Sequence, residues 1–412
     1  MDDSFISNNM RVAISLARRG IGHVNPNPLV GAVIVKDGTI IGGGWHQQYG
    51  GPHAERNAIA DAGSENCRGA DLYVTLEPCC HQGKQPPCTQ AIISCGFARV
   101  FIGSSDPNPL VSGKGAAELR AAGITVYENI LRNECDALNP VFFHYITTRH
   151  PYVLMKYAMT ADGLTACYTG NSRWISCPES REYVHMERAE CMAVMAGIGT
   201  VLKDDPLLTC RIPAERFGPA ADASDPLGYQ PVRQPVRIIC DSSLRIPLDS
   251  NLVKSVGEGT PDGMHAPLMV VCALSESMLA QSAKARRLTE LGVQLLSVPD
   301  NSARSDMARV DLALLMKLLG AQGIDSILLE GGGTLNYSAL KAGIVQKIQV
   351  FIAPKIFGSG TKEPGASSVF TPVSGGGAAS PGDAFVFSPP VISQIGDDVL
   401  LEYEVQNPCS QE

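Results

Sequence analysis

One imidazole, one carboxylate and two thiols constrain this chain more than any other feature. His53-Ala54-Glu55 is followed by Glu77-Pro78-Cys79 and, after eight further residues, by Cys88 behind Pro86-Pro87. One histidine and two cysteines are three zinc ligands, and three protein ligands leave a fourth position open for water. The glutamate is not needed as a ligand; it is suited to moving a proton between that water and a leaving amine. The fold must therefore bring residues 53, 79 and 88 to one point. Pro78 and Pro87 stiffen the approach to each cysteine, and a thiolate at a helix N-terminus is favoured by the positive end of the helix dipole. Either cysteine alone reads as a small core residue. The set read together points to a metal, with Cys80 and His81 as rival ligands beside Cys79.

At 412 residues the chain is long for one domain, and two are expected. A formal net charge of −8 argues against a nucleic-acid surface but leaves room for a small anionic substrate held by local arginines. The N-terminal residues carry Asp2 and Asp3 and lack the apolar core of a signal peptide. No apolar run approaches the ~20 residues that span a bilayer. The 13 cysteines are scattered, which fits reduced thiols and metal ligands. A cytoplasmic protein with no membrane partner is expected.

Apolar periodicity and turn residues predict a run of elements. Helix 10–20 ends at Gly20. A strand over 29–34 turns at Lys36-Asp37-Gly38 into another over 39–43. Helix 53–62, strand 71–76, helix 89–95, strand 98–102, helix 116–122 and strand 125–127 follow, a sheet covered by helices. A connecting helix is predicted over 132–148. Beyond Pro151, strands over 152–158, 193–197, 236–240, 268–271, 326–330 and 348–353, with a helix over 178–189, predict a second α/β domain. Residues 211–233 read as an exposed loop or insertion, and 374–382 as a mobile Gly/Ala/Ser-rich segment.

The zinc signature of nucleobase deaminases separates its cysteines by two residues; here eight intervene. Asn25-Pro26-Asn27-Pro28-Leu29-Val30-Gly31, Gly51-Pro52-His53-Ala54-Glu55, Thr75-Leu76-Glu77-Pro78-Cys79, Gly83-Lys84-Gln85-Pro86-Pro87-Cys88 and Asp106-Pro107-Asn108-Pro109 together resemble the bifunctional pyrimidine deaminase/reductase family of riboflavin biosynthesis. The long gap is that family's own variant. The resemblance implies a cytidine-deaminase-like, three-layer α/β domain over 1–147, with His53, Cys79 and Cys88 as Zn2+ ligands and Glu55 as the catalytic proton shuttle. It implies substrate contacts at Asn25, His46, Lys84 and Asp106. An asparagine can read an amide edge of a pyrimidinone, and Lys84 and His46 can meet a ribose phosphate.

The resemblance continues through Lys156–Gly163, Gly170–Ile175, Gly199–Pro206 and Glu330-Gly331-Gly332-Gly333. It implies a dihydrofolate-reductase-like domain over 151–405 that binds NADPH. Small residues turning into a helix at 332–335 suit a pyrophosphate, although a lone Gly-Gly-Gly is equally a flexible turn. The cofactor positions implied are Ala158, Trp174, Thr200, Asp204, Ser242, Gly332, Gly333, Thr334, Leu335, Asn336, Tyr337 and Ser338, with Ser242 and Arg245 favouring a 2′-phosphate. The substrate positions implied are Ser172, Arg188, Leu208, Arg211 and Glu330; arginines and a serine make a phosphate clamp.

The implied reaction is hydrolytic deamination of 2,5-diamino-6-ribosylamino-4(3H)-pyrimidinone 5′-phosphate, then NADPH reduction of the ribosyl group to a ribityl chain. Lys156 or Glu330 would assist proton delivery in the second step. A homo-oligomer is expected from the resemblance. The alternative, a tRNA-type base deaminase with an accessory domain, accounts for the zinc set but not for the second domain or the acidic charge. A zinc-stabilised binding protein would have no use for Glu55.

Overall fold

The computed structural model describes residues 2–82, 85–108, 111–212, 233–261, 263–300, 309–358, 360 and 369–406. Most of the predicted 211–233 loop lies outside them. The chain divides into two compact units, residues 1–149 with 213–233, and 150–212 with 234–412.

The first unit runs α1 (Asp3–Arg18), β1 (Gly31–Lys36), β2 (Thr39–Trp45), α2 (Ala54–Ala62), β3 (Asp71–Leu76), α3 (Cys88–Cys95), β4 (Arg99–Ser104), α4 (Lys114–Ala121), β5 (Thr125–Tyr127), α5 (Arg132–Asp136) and α6 (Pro140–Thr148). Among the described residues its strands form a five-stranded sheet in the order β2-β1-β3-β4-β5, antiparallel from β2 to β3 and parallel from β3 to β5. Strand alternation sorts the side chains into two cores. Ala32, Ile34, Leu72, Val74, Val100 and Ile102 face α2, α3 and α4. Val33, Val35, Tyr73 and Phe101 face Met10, Ala13 and Ile14 of α1. The result is the expected three-layer sandwich. The β1–β2 turn takes Asp37 and Gly38 at φ 50° and 79°, both left-handed as a two-residue type I′ hairpin requires.

Two predicted elements differ. The first helix starts at Asp3 because the Asp2 side chain accepts from the Ser4 N–H and caps it. The helix predicted over 132–148 is broken. Asn139 leaves helical geometry before Pro140, which occupies the first turn of α6, where a missing N–H is harmless. Asn139 instead accepts from the Leu29 N–H at 2.8 Å and donates to its carbonyl at 2.9 Å, anchoring the chain ahead of β1.

The second unit runs β6 (Tyr152–Thr160), α7 (Pro178–Glu190), β7 (Ala193–Gly197), α8 (Ile198–Asp204), β8 (Val236–Cys240), α9 (Asn251–Gly257), β9 (Leu268–Cys272), α10 (Glu276–Gln281), α11 (Ala283–Glu290), β10 (Gln294–Ser297), α12 (Leu312–Ala321), β11 (Ser326–Leu329), α13 (Gly333–Lys341), β12 (Lys347–Ala353), β13 (Val391–Ile395) and β14 (Asp398–Glu404). Among the described residues these strands form a nine-stranded sheet ordered β10-β9-β8-β7-β11-β6-β12-β14-β13. It is parallel from β10 to β12, and β14 and β13 close it as an antiparallel hairpin. One face packs Val153, Met155, Met195, Ile327 and Ile348 against Leu315 and Leu319 of α12 and Ala339 of α13. The other carries Lys156, whose Nζ lies 5.5 Å from the centre of the Phe351 ring, with Tyr183 of α7 edge-on to the same ring. In such sheets ligands bind beyond the carboxyl ends of the parallel strands.

Candidate active sites in the two units

In the first unit His53 is the N-cap residue of α2, with Glu55 in the first turn. Gly42 and Gly44 of β2 let this helix lie directly on the sheet: a Cβ at residue 44 would stand 2.4 Å from the Ala58 nitrogen. Cys79 follows β3, and Cys88 opens α3. The His53 Nδ1 atom is 3.5 Å from the Cys79 sulfur and 3.4 Å from the Cys88 sulfur, and the three ligand atoms lie within 4.8 Å of one another. A tetrahedral zinc with ordinary bond lengths separates sulfur and nitrogen ligands by about 3.5 Å, so the set fits that ion. Cys80 and His81 are not members of this cluster.

The electrostatics suit a metal. Hydrogen bonding with Cys88 and His53 pulls the Cys79 thiol down to about 4, and Cys88, sharing with Cys79 and buried, is pushed up. Contact with Cys79 raises the His53 imidazole. Glu55 is 3% exposed, and burial raises its carboxyl, with Cys79 adding to the effect.

Two further side chains brace the turns that carry the cysteines. Glu77, 4% exposed, accepts from the Gly113 N–H at 2.9 Å and the Ala116 N–H at 3.1 Å, pinning the start of α4 beside the Cys79 turn. Arg56 donates to the carbonyls of Pro86 and Pro87 at 3.2 and 3.1 Å, tying α2 to the approach to Cys88. Glu77 stands within the Glu-Pro-Cys motif and Arg56 directly after His53-Ala54-Glu55, but their partners are distant in sequence.

Of the other expected contacts in this unit, Asp106 and His46 lie near the cluster. Asp106 is buried, and desolvation raises its carboxyl to about 6, against the pull of the Asn108 N–H bond at 2.8 Å. The His46 ring stands edge-on to His53, centroids 5.4 Å apart. Its Nδ1 is 3.0 Å from the Pro52 carbonyl and its Nε2 3.0 Å from the Asn27 amide, so both ring nitrogens are engaged within the protein. Burial lowers its pKa. Asn25 lines a smaller pocket of about 280 Å³ with His23, Gln48 and Tyr49. Lys84 lies outside the described residues.

In the second unit a cavity of about 1680 Å³ lies beyond the strand ends. Ala158, Ser172, Thr200, Asp204, Ser242 and Glu330 line it, as do Gly332, Gly333, Thr334, Leu335, Asn336, Tyr337 and Ser338. Trp174, Arg188, Leu208 and Arg211 are not on its wall. Trp174 is 64% exposed, with the Arg181 guanidinium 4.7 Å over its ring. Leu208 is buried, at φ 53°. Arg211 bonds to the Thr209 hydroxyl at 3.0 Å and packs on His185.

Arg188 reaches the cavity through Glu330. Its Nε and Nη2 donate to the two carboxylate oxygens at 2.5 and 2.9 Å, and Nη1 donates to the Thr209 carbonyl at 3.0 Å. Burial opposes the Glu330 charge, but Arg188, with help from Lys156, holds the carboxyl below its ordinary range. Burial lowers the Lys156 ammonium, countered in part by Glu330. Burial, Arg188 and Arg211 drive the unforeseen His185 down to about 4. The cavity fits a dinucleotide. Among the described residues nothing accepts from the backbone N–H groups of Gly332, Gly333 or Thr334 at the start of α13, and free helix N-terminal amides receive phosphate.

Comparison with known proteins finds two matched regions. Residues 3–104 match the cytidine and deoxycytidylate deaminase zinc-binding region, and residues 151–369 match the RibD C-terminal domain. The chain is 45% identical over 399 residues to the riboflavin biosynthesis protein RibD of Actinobacillus pleuropneumoniae, covering 97% of this chain and 95% of that one. It is 39% identical to RibD of Escherichia coli K12 over 85% of this chain and 88% of that one. Among solved structures, Acinetobacter baumannii RibD superposes with a TM-score of 0.79 at 32% identity, covering 98% of this chain and all of that one. The diaminohydroxyphosphoribosylaminopyrimidine deaminase/5-amino-6-(5-phosphoribosylamino)uracil reductase of Thermotoga maritima gives 0.76 at 35% identity, covering 98% and 99%.

Proposed function

This chain belongs to the RibD family of riboflavin-biosynthesis proteins, and from that membership we propose how its residues divide a two-step reaction. The protein is a bifunctional zinc-dependent deaminase and NADPH-dependent reductase acting on a small phosphorylated pyrimidine. The residues 1–147 form the deaminase and 151–405 the reductase. The observation that carries the first assignment is the convergence of His53, Cys79 and Cys88 beside the buried carboxyl of Glu55.

When bound, zinc supplies the Lewis acidity that makes water a nucleophile at neutral pH, and NADPH supplies the hydride. His53, Cys79 and Cys88 hold the metal. Glu55 takes the proton of the attacking water and returns it to the departing ammonia. Asn25 reads the pyrimidinone edge, Asp106 and His46 shape the pocket around the ring, and Lys84 meets the phosphate. In the reductase Ala158, Thr200, Asp204, Ser242 and residues 332–338, all on the cavity wall, hold the cofactor, and the family resemblance adds Trp174. Ser172, Leu208, Arg211 and the Arg188–Glu330 pair position the substrate; with Glu330 held ionised by Arg188, Lys156, whose ammonium burial makes more acidic, delivers the proton that accompanies hydride addition at C1′.

The test is zinc content with ammonia release from the diaminopyrimidinone phosphate, wild type against Glu55→Gln. The variant should keep its zinc and lose activity by about 10²–10⁴-fold; a variant that deaminates normally would remove Glu55 from the mechanism. Loss of absorbance at the NADPH band with the deaminated intermediate supplied directly should persist in the same variant. The acidic net charge supports a small-molecule substrate over RNA. Among the described residues no helix is long and apolar enough to cross a membrane. A cytoplasmic homo-oligomer is the assembly we propose.

A further inference from the structure

Four features around the start of α13 belong together. First, residues 371–376 run over its N-terminal turn as a strap: the Ser374 N–H donates to the Gly333 carbonyl at 2.9 Å, and the Asn336 amide donates to the Pro372 carbonyl at 2.8 Å. The start of the segment expected to be mobile is thus tied down. Second, the contact is too close for side chains. A Cβ on Gly333 would stand 2.6 Å from the Ser374 hydroxyl, and one on Gly375 would stand 2.1 Å from the Tyr337 ring. Third, Gly332 has only the Thr200 hydroxyl, at 3.5 Å, near its own Cβ direction. Its smallness is not demanded by protein packing. Fourth, strap and helix turn line the same cavity, and among the described residues nothing accepts from the N–H groups of Gly375 or Gly376.

Glycine therefore does two different jobs here. Gly333 and Gly375 allow the strap to close onto the helix, whereas Gly332 leaves open space where the helix amides face the cavity. The closed strap brings two free backbone donors to the wall of the same cavity, beside the Ser374 hydroxyl, which lies 2.9 Å from the Thr371 hydroxyl. Clustered backbone N–H groups form a concavity that suits an anion.

We propose that the Thr371–Gly376 strap is a cofactor-binding element: together with the first turn of α13 it forms a two-sided cradle for the diphosphate of the dinucleotide. The inference rests on the reading of residues 332–338 as the cofactor-phosphate segment. A diphosphate contact is common to NADPH and NADH, so the strap should raise affinity for both alike. A 2′-phosphate contact would affect only NADPH.

The experiment is fluorescence titration of the full-length zinc-loaded protein with NADPH and with NADH, comparing wild type, Ser374→Ala, Gly375→Ala and Gly332→Val. Ser374→Ala removes one exposed hydroxyl together with its contacts to the Thr371 hydroxyl and carbonyl within the strap, and keeps the Ser374 N–H bond to Gly333. Gly375→Ala forces the strap off Tyr337. Loss of one or two hydrogen bonds to a charged group should raise Kd roughly tenfold or more, in the same proportion for both nucleotides, with deaminase activity unchanged. Unaltered Kd in both strap variants while Gly332→Val weakens binding would overturn the proposal and leave the underlying reading standing. Unaltered Kd in all three variants would overturn both. Weakening confined to NADPH would also overturn the proposal, because the strap would then be acting on the 2′-phosphate.

Discussion

Removing the carboxylate of Glu330 should destabilise the reductase half more than any surface substitution. The Arg188 and Glu330 side chains are 12% and 13% exposed and joined by two hydrogen bonds, and Lys156 adds a second cation nearby. Burying an ion pair costs desolvation that the attraction only roughly repays, but deleting one partner strands a charge away from water, at a cost of about 3–5 kcal/mol. Glu330→Gln keeps the shape and removes the charge, so it isolates this cost. Arg188→Met should cost a similar amount, whereas the Arg188→Met/Glu330→Leu double variant should cost far less than the sum. The pH sign follows from the depressed carboxyl. Its stabilisation is fully present above the ordinary glutamate value of about 4.3 and is lost as pH falls through the lower folded value. The Glu330→Gln deficit should therefore be full at neutral pH and shrink in acid. Urea unfolding read by amide exchange in β6 and β11 measures each term. A single-variant cost below about 1 kcal/mol, or a double variant as damaged as the sum of its parts, would refute the stranded-charge argument.

Arg56→Met should leave the fold intact but free the Pro86-Pro87 carbonyls from α2, so zinc should pass to a chelator roughly tenfold faster, as loss of hydrogen bonds worth about 1–2 kcal/mol implies; an unchanged transfer rate would show that Cys88 is held without it. His185 has its pKa driven down to about 4 by burial, Arg188 and Arg211. The unfolded chain takes up that proton near pH 6.5, so the folded state loses stability as pH falls from there toward 4. His185→Gln should flatten that acid limb in thermal melts between pH 7 and 4, and an identical limb in the variant would refute the assignment.

Much of the first unit was legible because its signals are local. The order of its elements up to β5 follows from apolar alternation punctuated by glycine, and β3 and β5 fall on the predicted residues. The broken 132–148 helix was missed because Asn139 is engaged by Leu29, a contact invisible along the chain. In the second unit β7 and β8 were read correctly as buried apolar runs. The closing hairpin β13–β14 was not, since its half-exposed strands carry little apolar contrast. Of the residues that motifs single out, His53, Cys79 and Cys88 come together within 4.8 Å. The parts played by Glu77, Arg56 and the 371–376 strap could not be read, because each acts through partners tens of residues away.

By itself the sequence determined the α/β class, the pairing of a zinc deaminase with a reductase and the family, because these are written in residue identity and short spacing. Only the tertiary structure decided that the His53 Nδ1 atom faces the two sulfurs, that Arg188 meets the cavity by way of Glu330, and that Gly332 faces open space while Gly333 and Gly375 lie under a strap. Those outcomes depend on the distance and direction between segments that meet only after the sheets have formed, which no local pattern encodes.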